Sequence, residues 1–158
     1  MIQDTSGDSG ANGSQPNPDL LCFELHAASR AMTAVYRPML DRLGLTYPQY
    51  LVMVLLWERE PRQVKEIGAS LDLDSGTLSP LLKRLQSAGL ILRQRRVEDE
   101  REVEVRLTEA GEALRGEARE VPAAIERATG LSNEEIEELR LSLTQLRTAL
   151  RRTLSEED

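Results

Sequence analysis

Four side chains near the start of the chain have the types and the spacing for thiol chemistry. Cys22 is the only cysteine, Tyr36 and Tyr47 carry phenol hydroxyls, and His26 follows Cys22 by about one helical turn. A thiol near the start of a helix is favoured as the thiolate, because the N–H groups of the first turn and the helix dipole stabilise negative charge. Two acidic side chains within three residues of Cys22 oppose this effect. Cys22 is therefore either a reactive thiol or an inert structural cysteine.

A single cysteine and a single histidine exclude several other kinds of site. Together they are too few ligands for a metal, so we expect no metal and no other cofactor. As a catalytic pair, Cys22 and His26 lack a third group to orient the histidine, and we interpret His26 as structural or as helix surface. One cysteine also excludes an internal disulfide and favours a reducing, cytoplasmic compartment.

The two tyrosines raise a possibility that involves a second copy of the chain. Tyr36 follows Cys22 by 14 residues, so on one helix the two share a face but lie about 21 Å apart and cannot touch. If the first helix packs beside its copy in a dimer, Tyr36 of one chain reaches Cys22 of the other, and Tyr47 can join from the same side. Their hydroxyls would then hydrogen-bond to a thiolate or an oxidised sulfur. Otherwise, Tyr36 and Tyr47 are simply interface aromatics.

The elements that must position these residues begin after a polar leader. Residues 1–18 are rich in Ser, Gly, Asn, Asp and Pro, which predicts a disordered segment. Asp19 is expected to cap a long helix that runs to about Leu43, with Pro38 kinking or shortening it. Thr46 is expected to open the next helix, residues 47–57, which is apolar on several sides and is therefore predicted to be buried.

Amphipathic helices also follow at the other end of the chain. Thr108 is expected to cap a helix that bends at Pro122 and breaks at Gly130, and a Ser132–Glu135 capping box opens the last helix. That last helix has a coiled-coil-like seam of apolar residues: Ile136, Leu139, Leu143, Leu146 and Leu150. Amphipathic helices at both ends suggest a homodimer, and the alternative is that they pack only on their own core.

The segment between these ends, residues 62–107, has the pattern of a DNA-binding unit. Val64–Leu71 is helical in spacing, and Asp74 is a good N-cap for a second helix. That second helix has one apolar side formed by Leu78, Leu81, Leu82 and Leu85. Its other side carries hydroxyls and cations without an acid: Ser75, Thr77, Ser79, Lys83 and Arg84.

Two strands complete this segment. Residues 90–95 run from apolar to basic, and residues 102–107 alternate with a period of two, joined by a charged tip. Helix, turn, helix and hairpin is the order of a winged helix-turn-helix, so we predict a mainly α fold with a small β-hairpin wing. A generic helical domain with a solvated hairpin is the alternative.

Charge supports the DNA-binding interpretation. The chain is acidic overall, with 20 Lys and Arg against 27 Asp and Glu, yet residues 75–96 contain five cations and no acid. A localised basic face on an acidic protein favours docking in one orientation over indiscriminate coating of DNA. Length predicts one domain at residues 19–158, with 19–61 and 108–154 as dimerisation helices and core support. No apolar run has transmembrane length, so no membrane partner is expected.

Several runs of sequence carry a resemblance to a known family: Cys22–Arg30, Tyr36–Pro38, Leu45–Tyr50, Leu71–Leu85, Asp99–Arg101 and Leu107–Gly111. They resemble the MarR family of dimeric repressors and, within it, the organic hydroperoxide resistance (OhrR) regulators, over about residues 20–152. Cys22 with both tyrosines carries the second, narrower resemblance.

The resemblance implies a repressor of a peroxide-detoxification gene that holds an inverted-repeat operator in double-stranded DNA. Cys22 would be the redox-sensing thiolate, hydrogen-bonded by Tyr36 and Tyr47 of the partner subunit and oxidised to sulfenic acid by an organic hydroperoxide. Relatives with a second cysteine close an intersubunit disulfide, but this chain has none. That departure implies the one-cysteine class, in which a small-molecule thiol forms a mixed disulfide or the sulfur is oxidised further. The mixed disulfide would break the tyrosine contacts, shift the wings and release the operator.

The resemblance and the residue pattern agree on a DNA-binding set. The helix residues are expected in the major groove, and Arg101 in the minor groove with Asp99 orienting it. The full set is Ser75, Thr77, Ser79, Lys83, Arg84, Arg93, Arg95, Arg96, Asp99 and Arg101.

Two other functions stay open. One is a MarR-type repressor that responds to a small phenolic ligand, with Cys22 incidental. The other is a thiol peroxidase. Against a peroxidase, the chain has no resolving thiol and no CxxC motif, and this activity would not require the basic helix and wing. We therefore do not expect an enzyme.

Overall fold

The computed structural model describes residues 17–95 and 102–156, which form seven helices and three strands. The chain divides into two compact units, residues 1–32 and 33–158. The elements are α1 (Pro18–Leu43), α2 (Tyr47–Glu58), β1 (Arg62–Gln63), α3 (Val64–Leu71), α4 (Ser75–Ser87), β2 (Ile91–Arg95), β3 (Val103–Leu107), α5 (Glu109–Ala118), α6 (Glu120–Thr129) and α7 (Asn133–Glu156). This element order confirms the mainly α prediction with a winged helix-turn-helix. Within the described residues, no helix is both long and apolar enough to cross a membrane.

The sheet has one strand more than the predicted hairpin. β2 and β3 pair antiparallel, with Arg93 opposite Val105 and Arg95 opposite Val103. β1 adds to the other edge of β3, so the order is β1–β3–β2. A strand of two residues has too few positions to show an alternating pattern, so no periodicity along the chain could indicate it.

Helix ends follow local signals in several places. Thr46 caps α2 in a capping box with Gln49, and Asp74 caps α4, as the side-chain chemistry predicts. Thr108 caps α5 by accepting from the backbone N–H of Gly111. The Ser132–Glu135 capping box is also confirmed.

The start of α1 differs from the prediction. The helix begins at Pro18, and the side-chain oxygen of Asn17 accepts from the backbone N–H of Asp19 at 3.0 Å. Asn17 therefore serves as the cap and Asp19 lies in the first turn, where its charge favours the helix dipole. Pro38 does not shorten the helix, which continues to Leu43.

The single helix predicted after Thr108 is wrong, because the structure has two, α5 and α6, separated at Arg119. Proline has no N–H and its ring clashes with the carbonyl four residues earlier. For Pro122 that carbonyl belongs to Ala118, the last residue of α5. The interruption therefore falls one turn before the proline.

A single hydrophobic core lies inside the unit formed by residues 33–158. α2 contributes Val52, Met53 and Leu56, and the apolar side of α4 contributes the four predicted leucines. Ile91 of β2 and Val105 of β3 are fully buried against them. Burial of one side of α4 fixes its orientation, and its polar side must therefore face outward.

The last helix is only partly covered by the described part of its own chain. None of the residues of α7, all of which are described, is buried. Leu139, Leu143 and Leu150 of the predicted seam are 51%, 40% and 56% exposed. An ion pair between Arg151 and Asp72 connects α7 to the turn between α3 and α4.

Candidate nucleic-acid interface and sensor residues

The turn between α3 and α4 is built by side chains that cap both helices. Glu66 accepts from the backbone N–H of Gln63 at 2.8 Å at the start of α3, and Asp72 ends α3 with a left-handed φ of 59°. Asp74 accepts from the backbone N–H of Thr77 at 2.8 Å, and this bond with the Thr77 hydroxyl holds the pKa of Asp74 below its ordinary value. The negative charge of Asp74 therefore persists at neutral pH and anchors the first turn of α4.

The exposed side of α4 is the predicted hydroxyl-and-cation face. Ser75, Thr77 and Ser79 lie near its start, and Lys83 and Arg84 lie further along, all exposed. The structure thus places five of the predicted DNA-binding residues on the exposed side of one helix. Small hydroxyls permit a close approach of the helix, while the cations can pair with phosphates.

Thr77 has an intramolecular contact that the sequence analysis did not foresee. Its hydroxyl donates to the second carboxylate oxygen of Asp74 at 3.1 Å. The hydroxyl proton is therefore engaged within the cap. What remains to contact a ligand is the hydroxyl oxygen, as an acceptor, and the methyl group.

The basic strand β2 lies beside α4. Arg93 Nε donates to Gln86 Oε1 of α4 at 2.6 Å, which links the strand to the end of the helix, while Arg95 at the end of β2 is exposed. The predicted DNA-binding residues Arg96, Asp99 and Arg101 lie outside the described residues. Gln86 is absent from the predicted set, although its exposed position on α4, three residues after Lys83, was a signal for it.

The other edge of the wing is tied to α3. Glu102 accepts from Lys65 Nζ at 2.7 Å and from Gln63 Nε2 at 2.8 Å. These contacts span 37 and 39 residues, so no local sequence pattern indicates them. They join the residue before β3 to β1 and to the start of α3.

A cleft of about 630 Å³ opens between α3, α4 and the wing. Its lining combines apolar residues such as Leu78 and Leu82 with polar and charged ones, among them Ser75, Ser79 and Arg93. This volume lies in the range of small-molecule sites. The cleft borders the same face of α4 that carries the predicted DNA contacts.

Cys22 is exposed on α1, four residues after the helix begins at Pro18. It is the free thiol of the chain, and His26 on the same helix is exposed too. An exposed thiol is accessible to a small oxidant, whereas an inert structural cysteine is usually buried. Within the described residues, no group of three or more histidine, cysteine or acidic side chains is arranged to hold a metal.

Tyr36 and Tyr47 lie together in the unit formed by residues 33–158. Their ring centroids are 4.9 Å apart, and Tyr50 joins them at 6.0 Å from Tyr36. Burial, with the nearby Tyr47 and Tyr50 hydroxyls, raises the pKa of Tyr36 to about 12, and burial also raises the pKa of Tyr47. Both phenols therefore keep their protons at neutral pH and can donate hydrogen bonds to an anion. Their pairing with Cys22 of a second chain stays a prediction.

Comparison with known proteins places this chain among transcriptional regulators. Residues 34–117 match the family described as transcriptional regulator SarA/Rot, which is more than half of the chain. The organic hydroperoxide resistance transcriptional regulator of Bacillus subtilis is 49% identical over 126 residues, covering 80% of this chain and 86% of that protein.

Solved structures agree on the fold. Reduced AbfR bound to DNA has a TM-score of 0.72 at 35% identity, covering 84% of this chain and 93% of that one, and AbfR is a protein of Staphylococcus epidermidis. CouR from Rhodococcus jostii, bound to p-coumaroyl-CoA, has the same TM-score at 27% identity and covers 84% of this chain and 95% of its own. The relatives carry the names of regulators rather than enzymes, in agreement with the prediction that this chain is not an enzyme.

Proposed function

The chain belongs to the MarR family of winged-helix transcriptional regulators, and on that premise we propose that it is a dimeric repressor that releases DNA when an organic hydroperoxide oxidises Cys22. DNA binding is supported by the exposed side of α4, which presents hydroxyl groups and cations, while the opposite side of the helix is buried by its leucines. The exposed thiol of Cys22 supports the sensing part.

The DNA contacts follow from the geometry of α4 and β2. α4 enters the major groove, where Ser75 and Ser79 approach base edges and Arg84 pairs with a base edge or a phosphate. Arg93 and Arg95 bind phosphates alongside the groove. Reduced AbfR bound to DNA, at 35% identity, supports double-stranded DNA as the partner of this chain. We extend this set to Lys83 and to Arg96, Asp99 and Arg101 of the wing tip.

A homodimer accounts for the uncovered apolar residues of α7. Leucines that are half exposed along one helix are unfavourable in water, and a second copy of the same helix would bury them. A two-fold dimer presents two copies of α4 about 34 Å apart, one helical turn of DNA, and therefore binds an inverted repeat. The variant Leu143→Glu should then be monomeric in sedimentation analysis, and a dimeric variant would contradict this interface.

The chemistry of sensing requires no cofactor. The Cys22 thiolate attacks the terminal oxygen of the hydroperoxide, the O–O bond breaks, and the leaving alkoxide takes a proton to become an alcohol. Cys22 then carries a sulfenic acid. A small-molecule thiol attacks this sulfur, which forms a mixed disulfide and releases water. The peroxide is reduced and the two thiols are oxidised, so the electrons balance.

The tyrosine pair links this chemistry to DNA release. In the reduced dimer, Tyr36 and Tyr47 of the partner subunit donate hydrogen bonds to the Cys22 thiolate, and their raised pKa values keep the required protons in place. A mixed disulfide replaces the small anion with a bulky neutral group that cannot accept both bonds. The two subunits therefore rearrange, and the spacing of the two α4 helices no longer matches the operator.

The test uses a DNA duplex selected from random sequence by the reduced protein. We expect the wild-type protein to release this duplex after treatment with cumene hydroperoxide and a small thiol, and the Cys22→Ser variant to remain bound. Release by both proteins, or by neither, would exclude Cys22 as the sensor. Failure of the reduced protein to select any duplex at low salt would contradict the assignment of α4 as a recognition helix.

A second function, a repressor that responds to a phenolic ligand, is favoured by one observation. The cleft of about 630 Å³ beside α4 is large enough for such a ligand, and CouR was solved with p-coumaroyl-CoA. In that case a phenolic acid or its coenzyme A ester would release DNA from wild type and from Cys22→Ser equally. Insensitivity of both proteins to phenolic compounds would exclude this function.

A further inference from the structure

Four of the five aromatic side chains of this protein form one continuous series. Tyr47 contacts Tyr36 at a centroid distance of 4.9 Å, Tyr36 contacts Tyr50 at 6.0 Å, and Tyr50 contacts Trp57 at 6.3 Å with its ring turned edge-on. These distances lie in the range in which aromatic rings attract one another beyond their burial. The series starts at the proposed sensor tyrosines and runs the length of α2.

The far end of the series is fixed to the start of α5. Trp57 Nε1 donates to the backbone carbonyl oxygen of Gly111 at 3.0 Å, across 54 residues of sequence. An indole has a single N–H donor, and here it is used by this bond, which restrains the edge of the ring that carries Nε1. Trp57 therefore connects α2 to the element that follows β3.

Gly111 is in turn packed against the base of the wing. A Cβ at this position would overlap the carbonyl oxygen of Leu90, the residue before β2, and would lie 3.3 Å from Leu107, the last residue of β3. Thr108 adds a hydrogen bond to the carbonyl oxygen of Gly89 at 2.6 Å. A displacement of Gly111 towards Leu90 must therefore move the backbone that leads into β2, because backbone in direct contact leaves no slack, whereas the neighbouring contact with β3 is made by the side chain of Leu107.

We propose that Tyr50 and Trp57 are positioning residues that transmit the rearrangement of Tyr36 and Tyr47 through Gly111 to the wing. This inference rests on the proposed function, because it needs a change at the tyrosine pair when Cys22 is oxidised. Tyr50 is 5% exposed and packed on both neighbouring rings, so it cannot absorb a movement of Tyr36 by turning into solvent. The shift passes to Trp57 and then, through the hydrogen bond, to the backbone from which the wing projects.

The first test separates transmission from simple packing. Trp57→Phe keeps an aromatic ring beside Tyr50 but removes the indole N–H. We expect its reduced form to bind the selected duplex within about twofold of wild type. The ratio of oxidised to reduced Kd, which measures the coupling, should fall by roughly two- to tenfold, the scale of one neutral hydrogen bond. Tyr50→Phe, which keeps the rings in place, is the matched control and should leave the ratio unchanged, whereas Tyr50→Leu should lower it.

The second test uses the unmodified protein, so it stands even where a variant binds DNA poorly. Trp57 is the only tryptophan, and its fluorescence therefore reports on this one position. Oxidation in the absence of DNA should change its emission in wild type and leave that of Cys22→Ser unaltered.

An unchanged Kd ratio in Trp57→Phe, or an unchanged emission in oxidised wild type that does release DNA, overturns the proposal. Wild type that does not release DNA on oxidation would instead contradict the proposed function itself.

Discussion

Replacing Gly111 with alanine tests the contact between α5 and the wing directly. Gly111 is buried, and an added Cβ would overlap the carbonyl oxygen of Leu90 and approach its carbonyl carbon to 3.1 Å. Both are backbone atoms, which cannot turn aside as the end of a side chain does. The helix must therefore move away from Leu90, and this movement also stretches the hydrogen bond from Trp57 to the Gly111 carbonyl.

The expected effect on stability combines three contributions. Inserting a methyl group into a packed contact costs about 1–3 kcal/mol. Weakening the Trp57 bond costs about 1 kcal/mol more. Alanine gains about 1 kcal/mol over glycine inside a helix. We therefore expect Gly111→Ala to lower the free energy of unfolding by about 1–3 kcal/mol.

Gly116 in the same helix is the matched control, because a Cβ there would meet no atom of the described residues within 4 Å. Gly116→Ala should raise the free energy of unfolding by up to about 1 kcal/mol through helix propensity alone. The assay is urea unfolding of both variants and wild type at one protomer concentration, since dimerisation makes stability depend on concentration. If Gly111→Ala were as stable as Gly116→Ala, the close packing of α5 on the wing base would be refuted.

Four further predictions concern the core, the DNA face, a helix cap and pH. Leu82→Ala should lower the free energy of unfolding by about 2–5 kcal/mol in urea titrations, because Leu82 is fully buried. Replacing the neighbouring residue, Lys83→Ala, should leave the free energy of unfolding unchanged but reduce by about one the slope of log DNA affinity against log salt concentration. An unchanged slope would exclude a contact between Lys83 and a phosphate. Thr46→Ala should cost about 1 kcal/mol by removing the α2 cap, measured in the same titrations, and no loss would contradict the capping box. The pKa of Tyr36 is about 12 in the folded protein and 10.0 ordinarily, so above pH 10 the unfolded chain loses this proton before the folded one does. The stability that the buried, neutral Tyr36 provides is therefore fully present below pH 10 and is lost as pH rises towards 12. Tyr36→Phe should therefore show a shallower alkaline loss of stability, and an equally steep loss would contradict the burial of Tyr36.

Features encoded by short-range chemistry were predictable from the sequence. The apolar spacing of α4 and the capping side chains of Thr46 and Asp74 act over three or four residues, so periodicity and residue type are sufficient to place them. The outward orientation of the hydroxyl-and-cation side of α4 was predictable for the same reason, because once the leucines are buried the polar side chains must face solvent.

Contacts between distant parts of the chain were not predictable in this way. The bond from Trp57 to Gly111 and the pairing of Lys65 with Glu102 depend on how helices and strands pack, and no pattern along the sequence specifies such pairs. The aromatic series did have a local signal. Tyr47, Tyr50 and Trp57 are spaced by three and seven residues, which places them along one side of α2.

In the proposed function, the oxidation state of Cys22 sets how much of the protein is bound to DNA. The most direct measurement titrates the DNA-bound protein with an organic hydroperoxide in the presence of a small thiol. At each step, intact mass gives the fraction of Cys22 in mixed disulfide, and fluorescence anisotropy gives the fraction of DNA still bound. We expect DNA release to rise together with Cys22 modification. Complete modification with DNA still bound, or release before any modification, would contradict it.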